Sequence, residues 1–347
     1  MAPAGAAAVA AHVRRQAGWC ADLGSPLYAA LLARAADDVD AGGPVAEALA
    51  DHEGDPDDDA LALRLAGTVH RLVLAREAPA LALHYPSVGG TPGPPEQVWG
   101  AFRDVVAQRL PAVRAGLASA PQTNEVGRSA PLLGGLRHLA ARAPLPVRLV
   151  EVGSSAGLNL RPDLVRVQGD DGWEGPRASP VALPGAWRGP VPRAGVRVVE
   201  RRGSDVAPVD PATTQGRLRL TAYVWPDMAE RLARLRGALE LARRAPARLE
   251  RSGAAAAVSA LRPAEGAWTV VHHSVVRQYL PPAERDALDA ALEALGGAAS
   301  PASPVAHLAL EPEGGRFVVR LRTWPDGDDA VLGTAAPHGV PVRWGDG

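Results

Sequence analysis

Before residue 140, hydrophobic positions recur mainly at the three- and four-residue spacing of helices that bury one face. Two such sets are Leu27, Leu31 and Leu32, and Leu61, Leu65, Val69 and Leu72. Further helices are predicted over about 96–118 and 129–142, after a proline- and glycine-rich loop at 86–95. Since no convincing strand pattern precedes Val147, we expect a helical N-terminal or cap domain over residues 1–142.

After Pro146 the pattern changes to short apolar runs that alternate with helices, which predicts an α/β domain over 143–347. The strand candidates are 147–152, 195–200, 218–225, 267–272, 304–310, 316–323 and 338–344, and the clearest helices are 226–245 and 281–295. This order predicts a mostly parallel sheet with helices on both faces. The last two candidates have no helix between them and are expected to form a closing antiparallel pair. Residues 161–194 are rich in proline and are expected to be an irregular insertion.

Composition narrows the class of protein. The 347 residues are 47% hydrophobic, enough for a sizeable core, and the net charge of −1 gives no field that would recruit nucleic acid or an anionic membrane. The one cysteine, Cys20, excludes a disulfide framework and a cysteine-based zinc site. The start has no basic residue before its apolar stretch, and no run approaches the ~18–20 apolar residues of a membrane span. We expect a cytoplasmic protein, and its oligomeric state stays open.

The absence of lysine and the position of an acidic cluster both argue against particular kinds of site. The chain has no lysine, which excludes a Walker lysine and a Schiff-base lysine. The acidic cluster at 55–59 contains Pro56 and fits a solvated loop before a helix better than a metal site. No metal centre is predicted.

The most informative segment is Leu-Val-Glu-Val-Gly-Ser-Ser-Ala-Gly at 149–157. A buried strand that ends in an acid and turns through glycines into a helix is typical of a nucleotide-like cofactor site. Gly153 and Gly157 would let the backbone approach a ligand, and Glu151 could accept hydrogen bonds from its hydroxyl or amino groups. A plain turn between a strand and a helix is the alternative.

The same segment spells Gly153-x-Ser155-x-Gly157, the nucleophile-elbow pattern of serine hydrolases. In that interpretation Ser155 is the nucleophile, an acid such as Asp227 completes the triad, and the base is His272 or His338. Two features count against it. An α/β-hydrolase places several strands before the elbow, where this chain predicts helix, and no oxyanion loop precedes the segment.

Further candidates follow the other strands. Asp205 comes after the second strand, where such sites bind ribose hydroxyls, although a turn or cap aspartate would read the same. The interval from the glycines is nearly fifty residues instead of the usual ~20, so 161–194 must loop out. His272 and His273 end the fourth strand. Because adjacent strand residues point to opposite faces, one of them is expected to face the site as a general base.

A polar patch at 122–129 precedes the sheet domain and is a candidate lid or substrate contact. It contains Asn124, Glu125 and Arg128, and the alternative is a helix cap with Glu125 and Arg128 as a surface pair. Asn124 and Asn159 are the only asparagines of the chain. Trp225 and Asp227 follow the expected third strand as possible substrate contacts, with core packing and a cap on the next helix as the alternatives.

Six segments together resemble an uncharacterised bacterial family, domain of unknown function 2332. They are 122–129, 151–160, 201–205, 223–227, 271–280 and 337–344. After residue 147 the order of elements also resembles the seven-stranded class I methyltransferases that use S-adenosylmethionine. Glu151-x-Gly153-x-x-x-Gly157 is similar to their first motif and Gly203-x-Asp205-x-x-Pro208 to their second. Their usual adenine-binding acid after the third strand has no counterpart here, where residues 254–256 are alanines.

The resemblance implies that S-adenosylmethionine is the cofactor and that its methyl group passes to a small-molecule or protein acceptor. It implies cofactor contacts from Glu151, Gly153, Ser154, Ser155, Gly157, Asn159 and Asp205. His272 or His273 would remove the acceptor's proton, and the helical domain would cover the crevice and select the acceptor. Two alternatives stay open: a non-catalytic or otherwise liganded Rossmann-like binding protein, and the serine hydrolase.

Overall fold

The computed structural model describes residues 4–52, 54, 60–118, 121 and 124–345. The acidic cluster at 55–59, together with Gln122 and Thr123 of the polar patch, lies outside the described residues. The chain divides into two compact units, residues 1–123 with 214–233, and residues 124–213 with 234–347. The functional division expected between 142 and 143 stays a prediction.

The helices of the described residues are, in chain order, α1 (Ala4–Asp22), α2 (Pro26–Asp40), α3 (Pro44–Leu49), α4 (Leu61–Leu74), α5 (Pro79–Ala82), α6 (Pro95–Gln108), α7 (Leu110–Leu117), α8 (Ser129–Arg142), α9 (Thr214–Ala222), α10 (Ala229–Arg244), α11 (Ala254–Ser259) and α12 (Pro282–Gly297). No strand precedes Val147 in the part of the chain that the structure describes, as expected. The predicted leucine stripes of α2 and α4 are buried in the core of the first unit. No helix among the described residues has the length and apolar character needed to cross a membrane.

The segment 218–225, expected as the third strand, is not a strand. Its first residues belong to helix α9, and the rest form a turn before α10. Its β-branched and aromatic residues favour a strand in isolation, but contacts from elsewhere in the first unit decide the structure. His70 donates from Nδ1 to the carbonyl oxygen of Ala222, and the ring of Tyr223 packs over Gly67 of α4.

Asp227 and Trp225 have structural partners in the first unit. Asp227 caps α2 instead of its own helix: Oδ1 accepts from Ser25 Oγ at 2.6 Å and Oδ2 accepts from the backbone N–H of Leu27 at 2.9 Å. Trp225 is buried in the core of this unit, with its ring centre 6.2 Å from that of Tyr28. A contact of either residue with substrate stays a prediction.

We expect Asp227→Ala to lower the free energy of unfolding by about 2 kcal/mol, because it leaves a buried hydroxyl and a helix N–H without their charged acceptor. Asp227→Asn keeps one acceptor oxygen and should lose about half as much. The measurement is urea denaturation at pH 7, with Asp51→Ala as an exposed control. Equal losses in Asp227→Ala and Asp51→Ala would show that the cap contributes nothing.

The strands of the described residues are β1 (Val147–Val152), β2 (Arg166–Gly169), β3 (Gly172–Glu174), β4 (Ala182–Leu183), β5 (Trp187–Arg188), β6 (Val198–Asp205), β7 (Arg248–Arg251), β8 (Trp268–Ser274), β9 (Val305–Glu313), β10 (Arg316–Trp324), β11 (Asp329–Ala335) and β12 (Val342–Trp344). Nine of the described strands form one sheet in the order β5-β12-β11-β10-β9-β8-β1-β6-β7, and β3-β2-β4 form a second sheet. The expected irregular insertion therefore contains four short strands, one of which, β5, joins the edge of the large sheet.

The centre of the large sheet is parallel. Strands β7, β6, β1, β8 and β9 run in one direction. Counted along the chain among themselves, they lie in the order 3-2-1-4-5, the order of a Rossmann-type sheet. The expected α/β class with a mostly parallel sheet is confirmed. The order reverses between β1 and β8, and such a switch point is where ligands bind in sheets of this type.

The seven-stranded form of the sheet is not confirmed, since nine described strands are present. Three strands of this sheet were missed: β5, β7 and β11. The third parallel strand is β7 rather than 218–225, and β11 pairs with both β10 and β12. The two strands expected to form a closing antiparallel pair therefore lie on either side of β11 and do not pair with each other. Each of them is antiparallel to β11.

The prediction of a helix after the glycines is also wrong. Gly157 is followed by two 3₁₀ turns, Leu158–Leu160 and Pro162–Leu164, and then by the small sheet. A helix that began at Leu158 would meet Pro162 at its fifth residue, past the first turn in which proline is tolerated, and the residue before a proline disfavours helical dihedrals.

Helices cover both faces of the parallel strands. On one face α8 packs closely, and a Cβ at Gly135 would lie 2.5 Å from the side chain of Leu308. On the other face, Val150 and Val271 form a hydrophobic core with α11 and α12. The carboxyl ends of β1, β6 and β8 lie between these two layers and carry the predicted site residues.

Candidate functional site

Glu151 and His272 are neighbours at the switch point. Glu151 of β1 is in register with His272 of β8 on one side and with Gly203 of β6 on the other. Neighbouring strands are about 4.8 Å apart, and residues in register on parallel strands point to the same face. The fold thus brings together an acid and a histidine that the sequence predicted separately.

Glu151 is a buried carboxyl with an unused oxygen. It is 3% exposed, it hydrogen-bonds to the side chain of Asn159, and its Oε2 has no hydrogen-bond partner among the described residues. Burial raises its pKa from 4.5 to about 8, and the charges of Arg161 and Arg128 offset only part of this effect. At neutral pH most of the carboxyl is therefore protonated.

His272 is a neutral base with a fixed tautomer. Its Nδ1 lies 2.8 Å from the carbonyl oxygen of Leu308. Because a carbonyl can only accept, the proton must be on Nδ1, which leaves the lone pair on Nε2. Nε2 is buried and has no partner among the described residues, and burial lowers the pKa of the ring to about 3.

His273 points to the opposite face, as the strand geometry predicted. Its Nδ1 lies 2.6 Å from Oε1 of Glu311, and its Nε2 lies 2.8 Å from Nε2 of His307. Oε1 of Glu311 also accepts from the backbone N–H of Val276 at 2.9 Å. Glu311 and His307 are not among the residues predicted from the sequence, although their separation by four residues on one strand places them on one face.

The glycine turn is tightly packed. Gly153 and Gly157 have positive φ, +66° and +62°, and Ser155 has φ +52°. A Cβ at Gly153 would lie 2.5 Å from the side chain of Val276, and one at Gly157 would lie 2.7 Å from that of Leu249. Both glycines therefore satisfy a left-handed backbone and close packing by the protein itself.

Asp205 holds this turn in place. Its Oδ2 accepts from the backbone N–H of Ser155 and its Oδ1 accepts from that of Ala207, each at 2.8 Å. Each carboxylate oxygen can accept a second hydrogen bond, so these contacts leave room for a ligand hydroxyl. The cap interpretation and the ligand interpretation are thus compatible.

Three buried polar atoms without partners lie at the ends of β1 and β8. They are Oε2 of Glu151, Nε2 of His272 and Oγ of Ser154, none of which has a hydrogen-bond partner among the described residues. Oγ of Ser204 is also unpartnered, but Ser204 is in register with Val152 and therefore points to the opposite face from Glu151. Buried polar atoms are otherwise nearly always paired, with protein or with water. A ligand or ordered water at this edge would satisfy them.

The two asparagines meet at the same turn. Asn124 accepts at Oδ1 from the N–H of Leu158 at 2.9 Å. Asn159 donates to the carbonyl oxygen of Glu125 at 3.2 Å and accepts from Ser129 Oγ at 2.8 Å. The structure therefore joins the described part of the polar patch to the segment after the glycines, which the sequence could not place.

Glu125 and Arg128 do not form the expected surface pair. Glu125 is buried and caps the 3₁₀ turn Val126–Arg128 by accepting from the N–H of Gly127 at 3.2 Å. Arg128 instead donates from Nη1 to the carbonyl oxygen of Ser274 at the end of β8, at 3.1 Å. The structure thus contains the cap but not the surface pair, and Arg128 contacts the end of β8.

An acid does occupy the region after the third parallel strand. Oε1 of Glu284, from α12, accepts from the N–H of Ala255 at 3.0 Å and would lie 2.9 Å from a Cβ on Gly253. The sequence analysis found only alanines here, because the acid comes from a helix thirty residues further along the chain. No signal in the sequence links these two positions.

One feature of the structure supports the nucleophile-elbow interpretation, and two features count against it. The positive φ of Ser155 suits an elbow serine. Yet the described residues before β1 contain no strand, and the helix that should follow the serine is replaced by 3₁₀ turns. Within the described residues, no group of three or more His, Cys, Asp or Glu side chains is arranged to hold a metal ion.

Comparison with known proteins identifies the family of this chain. No curated protein and no solved structure matches the chain. A family model, described as an uncharacterized protein conserved in bacteria, DUF2332, matches residues 10–344. The match includes all the residues of the candidate site. Because it spans nearly the whole chain, this protein belongs to the DUF2332 family.

Proposed function

We propose that this chain binds S-adenosylmethionine at the carboxyl edge between β1 and β8 and transfers its methyl group to a small-molecule or protein acceptor. One observation carries the proposal: the switch point of a Rossmann-type strand order coincides with unpaired buried atoms of Glu151 and His272. The helical cap expected over residues 1–142 would contribute to acceptor selection in this scheme.

The residues of the edge fit such a cofactor in most of its parts. Glu151 would bind an amino or hydroxyl group through Oε2, and Asp205 would accept from ribose hydroxyls with its second lone pairs. The backbone from Gly153 to Gly157 would pass beneath the ligand, and Glu284 stands where an acid is expected near adenine. When bound, the cofactor supplies an electrophilic methyl group on a sulfonium centre.

His272 would accept a hydrogen bond, and then the proton, from the attacking group of the acceptor. Its Nε2 lone pair is available because Nδ1 is committed to Leu308. The low pKa makes this residue a weak base, so most of the acceleration would come from holding the acceptor at near-attack distance. Asp205 and Asn159 would keep the turn rigid during this step.

Isothermal titration calorimetry with S-adenosylmethionine and S-adenosylhomocysteine tests the proposal. We expect wild type to bind both, and Gly153→Trp to bind neither because its side chain would collide with Val276 and displace the turn beneath the ligand. Gly195→Trp, in open space, is the matched control. Glu151→Gln, which keeps the shape of the side chain, should bind roughly tenfold more weakly, the loss of one hydrogen bond to a charged group.

The results separate the remaining functions. If wild type binds neither ligand, the methyltransferase proposal is wrong. Binding without transfer to any acceptor would favour a non-catalytic Rossmann-like protein. The positive φ of Ser155 is the observation that favours the serine hydrolase. Covalent labelling of Ser155 by a fluorophosphonate, lost in Ser155→Ala, would establish that function instead.

A further inference from the structure

Arg128 has a guanidinium that forms no ion pair among the described residues. Its Nε is buried and unpartnered, and its single hydrogen bond among the described residues goes to the carbonyl oxygen of Ser274. A guanidinium has five N–H donors, and Arg128 is only partly buried, so its remaining donors can reach a ligand or water. The backbone is fixed from the other side, since a Cβ on Gly339 would lie 2.5 Å from the Cα of Arg128.

Other arginines of this unit show what a satisfied guanidinium looks like here. Arg201 forms a two-pronged ion pair with Asp163, at 2.7 and 2.8 Å. Arg161 donates to the carbonyl oxygens of Ala245 and Gly157. Arg148 pairs with Glu200 at 2.6 Å. Arg128 has no comparable carboxylate within ion-pair distance in the described residues.

The acids around Arg128 are engaged elsewhere. Glu311 pairs with His273, and Glu125 accepts from Gly127 and lies 4.0 Å from Arg234. Glu151 is mostly protonated at neutral pH, because burial raises its pKa. Burial also lowers the pKa of Arg128, although the charge of Glu125 and, more weakly, those of Glu311 and Glu151 favour its cationic form.

We infer that Arg128 binds an anionic group, a carboxylate or phosphate, of the molecule that occupies the edge between β1 and β8. The guanidinium matches either group in two-pronged geometry. Its anchor is the backbone carbonyl oxygen of Ser274, two residues beyond His272 on β8, so the anion would lie near the carboxyl end of this strand. The inference rests on the proposed ligand site and adds a substrate class to it.

Small anions test the inference without any nucleoside. We expect phosphate and acetate, titrated against chloride at constant ionic strength, to raise the melting temperature of the wild-type chain in a saturable way. Arg128→Gln should need at least about tenfold more of either anion. Arg193→Gln, which removes an exposed arginine paired with Asp171, should respond as wild type does.

The melting temperature without added anion distinguishes anion binding by Arg128 from a purely structural role. Because Arg128 is partly exposed and forms no ion pair among the described residues, the melting temperature of Arg128→Gln should stay close to that of wild type. A lower melting temperature together with an unchanged anion response would make Arg128 a structural residue and overturn the inference. So would the absence of a saturable response to either anion in wild type.

Two nucleosides then identify the source of the anion. S-adenosylhomocysteine has a carboxylate, and 5′-methylthioadenosine lacks the amino-acid part. If Arg128→Gln weakens only the first, Arg128 binds the cofactor's carboxylate. If neither changes while the phosphate and acetate responses are lost, the acceptor carries the anion. If wild type binds anions but neither nucleoside, the methyltransferase proposal fails and the anion site stands.

Discussion

Glu151→Gln should stabilise the folded chain at pH 9 and leave its stability nearly unchanged at pH 5. The pKa of Glu151 is 4.5 in its ordinary state and about 8 in the fold. Between these values the folded state binds more protons than the unfolded state, so stability falls as pH rises. Above pH 8 both states are ionised, and the fold must hold a buried charge. Glutamine keeps the acceptor for Asn159 and cannot ionise.

The size of the effect follows from the shift. Each pKa unit corresponds to about 1.4 kcal/mol, so wild type should lose up to about 5 kcal/mol of this contribution between pH 5 and pH 9. Denaturant unfolding of wild type and Glu151→Gln at pH 5, 7 and 9 measures the difference. Glu265→Gln is the control at an exposed site. Parallel pH profiles for wild type and Glu151→Gln would mean that Glu151 is already ionised at neutral pH.

The free-energy cost of ionising Glu151 in the ligand-free protein has a functional consequence. A ligand that places a cationic or hydrogen-bond-donating group against Oε2 would favour the ionised carboxylate and lower its pKa. Ligand binding would then offset the free-energy cost of ionising the buried Glu151 carboxyl. The same logic applies to Arg128, whose unpaired cation a ligand anion would neutralise. In this proposal the ligand would therefore favour the ionised states of both Glu151 and Arg128.

The local hydrophobic pattern predicted the bounds of an element correctly where the flanking residues also mark its ends. Strand β1 and helix α8 have the predicted bounds, 147–152 and 129–142. Pro146 comes directly before the apolar run of β1, and Glu151 precedes the first glycine by two residues. In both elements the hydrophobic pattern and the flanking residues agree with the fold, which is when sequence-based prediction is most secure.

Local pattern failed where distant contacts decide. Strand β7 has the sequence Arg-Leu-Glu-Arg and carries no apolar alternation to detect. It is the edge of the sheet, where charged residues are tolerated, and Glu250 accepts from Arg202 of the neighbouring strand at 3.2 Å. The opposite error occurred at 218–225, where a strand-like composition is held as helix and turn by His70 and Asp227.

The candidate site was predictable as a set of strand ends but not as an arrangement. The rule that ligands bind at carboxyl ends of parallel strands selected Glu151, Asp205 and His272 correctly as edge residues. It could not supply Glu284 or Glu311, which come from α12 and from strand β9. Their positions depend on sheet order and register, which hydrophobic periodicity does not encode.

Asn159→Ala should lower the free energy of unfolding by about 4 kcal/mol. Asn159 is almost fully buried and connects three groups: the hydroxyl of Ser129, the carbonyl oxygen of Glu125 and the carboxyl of Glu151. Its removal leaves all three without this partner in the interior, at about 1–3 kcal/mol each, with water recovering part of the loss. Urea denaturation at pH 7 measures the change.

Asn124→Ala is the matched control, because Asn124 is the other asparagine of the chain and serves the same turn. It supplies one acceptor, to the N–H of Leu158, from a partly buried position. We therefore expect a loss of about 1 kcal/mol. Ser129→Ala combined with Asn159→Ala should cost less than the sum of the two single losses, because both remove the same hydrogen bond. If Asn159→Ala costs no more than Asn124→Ala, the buried network does not fix the turn, and the rigidity assigned to the ligand edge must come from Asp205 alone.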